Sequence, residues 1–178
     1  MRVFIALELP EKIKKELENL QQELKTTGIE AKWVKPEQAH LTLAFLGWIE
    51  PEKIEVISQI LDDVTRKIKS VKLALHQLDS FSSKVVFVGL KGELGKLNAL
   101  SIKIRKGLKK ANVGFDEKPF VAHLTVARIK KAKNLQQIIS KIKIKKQTFV
   151  GNKISLMKST LTRSGPIYEN LKETQLND

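Results

Sequence analysis

Apolar and polar residues alternate along the chain with two different periods, which predict strands and helices in a fixed order. The apolar run from Val3 to Leu9 predicts a strand, and Pro10 marks the start of a helix. Apolar residues then recur at helical spacing as far as Gly28, at Ile13, Leu17, Leu20 and Leu24. The run 85–90 predicts a second strand, and a second helix, ending near Gly114, carries Leu97, Leu100, Ile104 and Leu108.

Each of these helices is followed by an extended stretch, a further helix and a returning strand. The further helices are predicted from Pro51, with apolar positions Ile54, Ile57, Leu61, Val64 and Ile68, and from about Asn134, with Leu135, Ile138, Ile139 and Ile142. The returning strands are residues 71–78 and 153–161, where apolar and polar positions alternate. The chain therefore predicts strand, helix, strand, helix, strand, written twice.

The two extended stretches repeat almost the same ten residues, "KPEQAHLTLA" at 35–44 and "KPFVAHLTVA" at 118–127. His40 and His123 are 83 positions apart, and the same shift carries residues 3–7 onto 86–90. Two separate segments with one offset indicate an internal duplication. We expect an α+β fold in which residues 1–178 form a single bilobal domain, with pseudo-twofold-related lobes that exchange terminal segments.

The repeated stretch places chemically active side chains on one face of a strand. Because side chains alternate between faces, His40 and Thr42 project to one side, as do His123 and Thr125, while the intervening leucines enter the core. Pseudo-symmetry brings the two strands together. The sequence thus predicts one cleft that contains two histidines and two threonines.

These groups fit acid–base chemistry on a phosphodiester. One imidazole can accept a proton while the other donates one near neutral pH, and the two hydroxyls can donate to phosphate oxygens. A lone histidine is more often structural, but two copies in the same surroundings favour a functional interpretation. A zinc site needs three or four ligands, and the remaining histidine, His76, lies in another strand without a second ligand at suitable spacing. We expect no metal and no cofactor.

The amino-acid composition excludes several kinds of site and indicates the location and partners of the protein. The chain has 178 residues, 42% of them hydrophobic, and no cysteine, which excludes disulfides, thiolate zinc sites and a cysteine nucleophile. No apolar run approaches the length of a membrane span, so we expect a soluble cytoplasmic protein. Residues 1–89 hold 13 basic and 13 acidic residues and residues 90–178 hold 20 and 6, so the net charge of +14 arises in the second half. This asymmetry fits a polyanionic partner such as RNA or DNA, and equally a solvated lysine-rich surface.

The paired His-x-Thr-x motifs, together with "RVFIALELP", "WVKPEQAHLTLAFLG" and "SGPIYENL", carry a family resemblance over nearly the whole chain. The sequence resembles the two-histidine (2H) phosphoesterase superfamily and, within it, the RNA 2',3'-cyclic phosphodiesterase family, also called 2'-5' RNA ligases. The resemblance implies two antiparallel sheets flanking a central cleft, with helices outside. It also implies hydrolysis of RNA 2',3'-cyclic phosphate ends to 2'-phosphomonoesters, with reversible 2'-5' ligation.

The resemblance also implies individual roles. By motif order His40 would protonate the leaving 3' oxygen and His123 would activate water, an assignment that the sequence alone does not make. Thr42 and Thr125 would hold the phosphate oxygens. Arg128 could add charge-assisted hydrogen bonds, although strand parity predicts that it faces away from His123.

Two further aromatic residues are candidate substrate contacts. Phe45 occupies the position in the first copy that Arg128 occupies in the second, and Tyr168 could stack on a base, although packing is the commoner role of such a residue.

The expected partner is RNA with 2',3'-cyclic phosphate ends, with tRNA fragments as one candidate, and the protein is expected to be a monomer. The main alternative is an RNA- or nucleotide-binding module with little turnover. A nucleotide-dependent ligase is disfavoured because the chain has neither a G-x-x-x-x-G-K-[ST] loop nor a Lys-x-Asp-Gly motif. Nucleotide binding in the cleft stays open.

Overall fold

The computed structural model describes residues 1–177, which form two antiparallel sheets and four α-helices. The strands are β1 (Arg2–Glu8), β2 (Glu30–Trp33), β3 (His40–Trp48), β4 (Val71–Phe81), β5 (Val85–Gly92), β6 (His123–Lys131), β7 (Thr148–Gly151), β8 (Lys153–Thr162) and β9 (Gly165–Gln175). The helices are α1 (Glu11–Lys25), α2 (Lys53–Thr65), α3 (Leu94–Lys110) and α4 (Leu135–Lys141), with a short 3-10 turn at Pro36–Gln38. The predicted α+β class and the two antiparallel sheets are confirmed.

All ten predicted elements occur, but the prediction missed three strands. β2, β7 and β9 have no counterpart in the pattern expected from the sequence. β2 and β7 span four residues each, which is too short for a periodicity to register. β9 is longer, but only Gly165 in it is buried, because it lies at the edge of its sheet.

Each sheet combines strands from both halves of the chain. The four-stranded sheet has the order β3-β1-β8-β9, and the five-stranded sheet has the order β2-β6-β5-β4-β7. Three adjacent strands of the first sheet, β3-β1-β8, correspond in position along the duplicated sequence to β6-β5-β4 of the second. We propose on this basis that the chain is one bilobal domain that arose by duplication and exchange of terminal segments.

The helices bury their apolar stripes against the sheets. Ile13 and Leu17 of α1 and Leu97 and Leu100 of α3 are 2% exposed or less, and they join the strand residues in one continuous core. The space between the sheets is left open and is lined by strand and loop residues. Within residues 1–177, no helix is long and apolar enough to cross a membrane.

Candidate active site

A cleft of about 550 Å³ separates the two sheets, and all seven side chains singled out from the sequence line it: His40, Thr42, Phe45, His123, Thr125, Arg128 and Tyr168. β3 and β6 each begin at the histidine of the repeated stretch. The two strands come from different sheets and contact each other, so both motifs open into the same space.

The two imidazoles are held by identical backbone contacts. Nδ1 of His40 lies 2.8 Å from the carbonyl oxygen of Gln38, and Nδ1 of His123 lies 2.7 Å from that of Val121. A carbonyl oxygen only accepts, so Nδ1 carries the hydrogen in each ring. In the neutral ring Nε2 therefore has a free lone pair, which can accept a proton.

Aromatic rings surround both imidazoles. The ring of Phe4 stacks on His40 with centroids 4.6 Å apart, and Tyr168 meets His40 edge-on at 5.4 Å. Phe81 and Phe87 meet His123 edge-on at 5.0 and 5.5 Å. This apolar packing orients both rings and removes water from one side of each.

The packing also changes how the imidazoles titrate. Burial lowers the pKa of His40, partly opposed by its bond to Gln38, and the nearby His123 lowers that pKa further. Burial likewise lowers the pKa of His123, opposed by its bond to Val121, and the charge of Arg128 adds to the lowering. Both imidazoles are therefore poised to act as bases, and a proton on one disfavours a proton on the other.

The threonine hydroxyls lie beside the imidazoles without partners of their own. Thr42 and Thr125 follow the histidines by two residues on the same face of β3 and β6, and both line the cleft. Within residues 1–177 neither hydroxyl makes a hydrogen bond to the protein. Both are thus free to donate to a ligand in the cleft.

Arg128 lies on a different face of β6 from the one that strand alternation predicts. Thr125 pairs with Phe87 across β5 and β6, but Arg128 pairs with Val85, so Val126 is an extra residue without a β5 partner. This β-bulge shifts the alternation by one position and turns Arg128 toward the cleft. The prediction that Arg128 faces away from His123 was therefore wrong.

The first motif contains the same bulge. Thr42 pairs with Ala6 and Phe45 with Phe4, which leaves Leu43 as the extra residue on β3. Phe45 thereby shares the cleft face with Thr42. The bulges at Leu43 and Val126 lie at equivalent places in the two copies, 83 residues apart.

Other cleft residues were not found from the sequence. The guanidinium of Arg2 lies 4.9 Å from the centre of the Phe45 ring, in cation–π geometry. Gln38 donates from Nε2 to the carbonyl oxygen of Pro166 at 2.7 Å and so ties the loop before His40 to β9. Arg2 lies one residue before the predicted strand, and β1 extends to include it on the same face as Phe4. Gln38 and Pro166 meet only through the topology.

Tyr168 packs at the edge of the cleft. Burial raises its pKa, with Arg2 and Arg128 acting in the opposite direction. Its edge-on contacts with Phe4 and His40 agree with a packing role for the ring, although the side chain also borders the cleft.

His40 and His123 are two potential metal ligands in the cleft, without a third beside them among residues 1–177. In the part of the chain that the structure describes, no group of three or more His, Cys, Asp or Glu side chains could hold a metal ion.

Comparison with known sequences connects this geometry with a family. The profile of the family described as LigT like phosphoesterase matches the chain over residues 7–87 and again over 88–168. A Methanocaldococcus jannaschii protein named RNA 2',3'-cyclic phosphodiesterase is 34% identical, with the alignment covering 97% of this chain and 99% of the relative. An Aquifex aeolicus protein of the same name is 35% identical over 95% of this chain and 90% of the relative.

Solved structures have the same fold. The protein TT0787 of Thermus thermophilus superposes with a TM-score of 0.82 at 25% identity, covering 99% of this chain and 98% of that one. Escherichia coli LigT complexed with 3'-AMP superposes with a TM-score of 0.81 at 22% identity and the same coverage. The expected arrangement of two antiparallel sheets flanking a cleft is thereby confirmed.

Proposed function

The chain belongs to the LigT-like phosphoesterase family, as its paired motifs predicted, and from this premise we propose that it hydrolyses 2',3'-cyclic phosphate ends of RNA. The observation that carries the proposal is the pair of imidazoles in one cleft, each held through Nδ1 with Nε2 free. Relatives named RNA 2',3'-cyclic phosphodiesterase, similar over nearly their whole length, support the same activity.

The proposed reaction is an in-line attack of water on the cyclic phosphorus. By motif order His123 accepts the proton of the water as its oxygen bonds to phosphorus. The bond between phosphorus and the 3' oxygen breaks, and His40 gives its proton to that oxygen. The product is a 2'-phosphomonoester with a free 3'-hydroxyl. Thr42 and Thr125 donate hydrogen bonds to the non-bridging oxygens throughout.

The electrostatics of the cleft support a pair in which one imidazole is the acid and the other the base. Burial lowers the pKa of both imidazoles in the free protein, whereas an anionic phosphate between them stabilises the charged form. Repulsion between the rings disfavours two protons at once. The substrate thus helps to create the singly protonated pair, with one acid and one base, that the reaction needs.

The other predicted contacts receive more limited roles. Arg128, turned into the cleft by the bulge, would donate charge-assisted hydrogen bonds to the phosphate. Phe45, with Arg2 over its ring, offers an apolar face to a nucleoside. Tyr168 would act mainly by packing against His40.

Ligation would use the same groups. A 5'-hydroxyl takes the place of water in attack on the cyclic phosphate, the bond to the 3' oxygen breaks, and a 2'-5' linkage is formed. The same acid and base serve both reactions, and the cyclic phosphate supplies the energy of joining.

The test uses a short RNA that ends in a 2',3'-cyclic phosphate, incubated with the protein in EDTA, with the product identified by 2'- versus 3'-phosphate mobility. Wild type should yield the 2'-phosphate. His40→Ala and His123→Ala should each lose roughly 10²- to 10⁴-fold in rate. His76→Ala is the matched control, because His76 is an exposed residue of β4 that does not line the cleft.

Several outcomes would count against the proposal. A product with a 3'-phosphate would contradict the regiochemistry, and activity abolished by EDTA would contradict the acid–base scheme. RNA that binds but stays cyclic would favour the binding-module alternative. Cytoplasmic location, a monomeric state and tRNA fragments as substrates stay predictions, the second of which light scattering on the purified protein tests directly.

A further inference from the structure

Gln21 and Ser101 are buried polar side chains outside the cleft, on helices that contribute nothing to its lining. Gln21 of α1 is 4% exposed and Ser101 of α3 is fully buried. Buried polar groups are normally retained for the hydrogen bonds that they make. Both side chains donate to the carbonyl oxygen of the extra residue in a β-bulge.

Gln21 bonds to the bulge of the second motif. Its Nε2 donates to the carbonyl oxygen of Val126 at 3.0 Å and to that of Val34 at 2.6 Å. The backbone N–H of Val34 donates to the same Val126 oxygen at 3.0 Å. Val126 is the extra residue of β6, between Thr125 and Arg128.

Ser101 bonds to the bulge of the first motif in the same way. Its hydroxyl donates to the carbonyl oxygen of Leu43 at 2.9 Å, and Leu43 is the extra residue of β3, between Thr42 and Phe45. The helices act across the halves of the chain, since α1 supports the motif of the second half and α3 that of the first. Gln21 and Ser101 are not related by the 83-residue shift, so two different side chains meet the same need.

The need follows from the geometry of a bulge. An extra residue has no place in the regular ladder, and in a buried strand its carbonyl group must find another donor. When the side-chain donor is removed, Leu43 loses the donor that Ser101 provides and Val126 keeps only the N–H of Val34. The weakened bulge then gives way to a regular strand that pairs every residue. Regular pairing moves each later side chain to the opposite face, which would turn Arg128 and Phe45 out of the cleft.

We propose that Gln21 and Ser101 are positioning residues, which hold the two bulges and thereby keep Arg128 and Phe45 on the same face as the histidines. Neither side chain lines the cleft. Gln21 acts on the reaction through Arg128, and Ser101 acts through Phe45. This inference rests on the proposed function for its kinetic consequence but not for its structural one.

The kinetic test is a double-mutant cycle on the cyclic-phosphate RNA. Gln21→Met keeps the length of the side chain and removes its donor, and Arg128→Ala removes the group on which it acts. Gln21→Met should lower kcat/KM by roughly 10- to 100-fold in an otherwise wild-type chain, since it would withdraw the charge-assisted hydrogen bonds of Arg128 from the phosphate. In the Arg128→Ala background the same change should lower kcat/KM by less than about 3-fold. Ser101→Ala and Phe45→Ala form the parallel cycle.

The matched control is Thr65→Val. Thr65 is 1% exposed and its hydroxyl donates to the carbonyl oxygen of Leu61 at 2.9 Å, away from the cleft. Thr65→Val should leave kcat/KM unchanged, both in the otherwise wild-type chain and in the Arg128→Ala background, at a temperature where every variant is folded. Equal losses for Gln21→Met with and without Arg128 would overturn the inference, as would an Arg128→Ala variant with wild-type kcat/KM.

The structural test does not depend on turnover. Backbone NOEs between β5 and β6 should report Val86 opposite Ala127 in the wild type, as the register requires. In Gln21→Met they should report Val86 opposite Val126. Unchanged pairing would refute the inference whatever the kinetics, while a wild type that fails to hydrolyse the cyclic phosphate would refute only the proposed function.

Discussion

Replacing Thr42 or Thr125 with valine should lower the activity of the protein without changing its stability. Valine keeps the branched shape of the side chain and replaces the hydroxyl with a methyl group, which cannot donate a hydrogen bond. Because neither Thr42 nor Thr125 makes a side-chain hydrogen bond within residues 1–177, the change leaves no unpaired group behind. The free energy of unfolding should therefore change by no more than about 0.5 kcal/mol.

The effect on activity follows from what the hydroxyls are proposed to hold. A hydrogen bond to a charged phosphate oxygen contributes roughly 1.5–3 kcal/mol, and each 1.36 kcal/mol corresponds to about tenfold in rate. Thr42→Val and Thr125→Val should each lower kcat/KM by roughly 10- to 150-fold. If the hydroxyls hold different oxygens, the double variant should combine the two losses, to roughly 10²- to 10⁴-fold.

The assay is steady-state hydrolysis of a short RNA 2',3'-cyclic phosphate, with chemical denaturation of each variant alongside. Thr42→Ser and Thr125→Ser, which retain the hydroxyl, should keep most of the activity. Folded valine variants with kcat/KM within about twofold of wild type would refute the reasoning, because the hydroxyls would then hold nothing that matters in the transition state.

Three further predictions concern the imidazoles and the backbone. Burial lowers both histidine pKa values below the ordinary 6.5, so the optimum of kcat/KM should lie below pH 6.5. The kcat profile should lie at higher pH, because bound phosphate raises both pKa values. An optimum of kcat/KM above pH 8 would contradict this reasoning. Phe4→Leu and Phe87→Leu should each raise the pKa of the adjacent imidazole by opening it to water, and NMR titration should show a different histidine resonance moving in each variant. Gly92→Ala should destabilise the fold by more than about 1 kcal/mol in denaturant titrations, since φ is +114° and a Cβ would collide with the carbonyl oxygen of Lys72, whereas Gly95→Ala, with open space around it in α3, should be neutral or stabilising.

Helices α1 and α3 could be predicted from the sequence because local periodicity determines which face is buried. The positions predicted for their apolar stripes, such as Ile13 in α1 and Ile104 in α3, are indeed buried. β9 could not be predicted in this way, since it pairs along only one edge and apolar and polar residues do not alternate in its sequence. Its strand conformation depends on pairing with β8, which is a tertiary contact.

The grouping of the two histidines and two threonines in one site could be predicted from the sequence for a similar reason. Two residues separated by one position share a face in any strand, so the repeated stretch was sufficient to group them. Arg128 lies beyond a bulge, where counting positions fails. The adjacent apolar pair Val126 and Ala127, both buried, breaks the alternation at that point and is the sequence feature that could have revealed it.

Because each sheet contains strands from both halves of the chain, the order of synthesis limits when this protein can fold. β1 is synthesised before the other strands of its sheet, yet it lies between β3 and β8, and Val3 pairs with Lys158 in the second half of the sequence. During synthesis one edge of this apolar strand stays unpaired until β8 has been made, and such distant pairings are slow to form. Folding in the order of synthesis, one lobe after the other, is therefore closed to this chain, and its newly made first half should depend on chaperones for longer than its small size suggests.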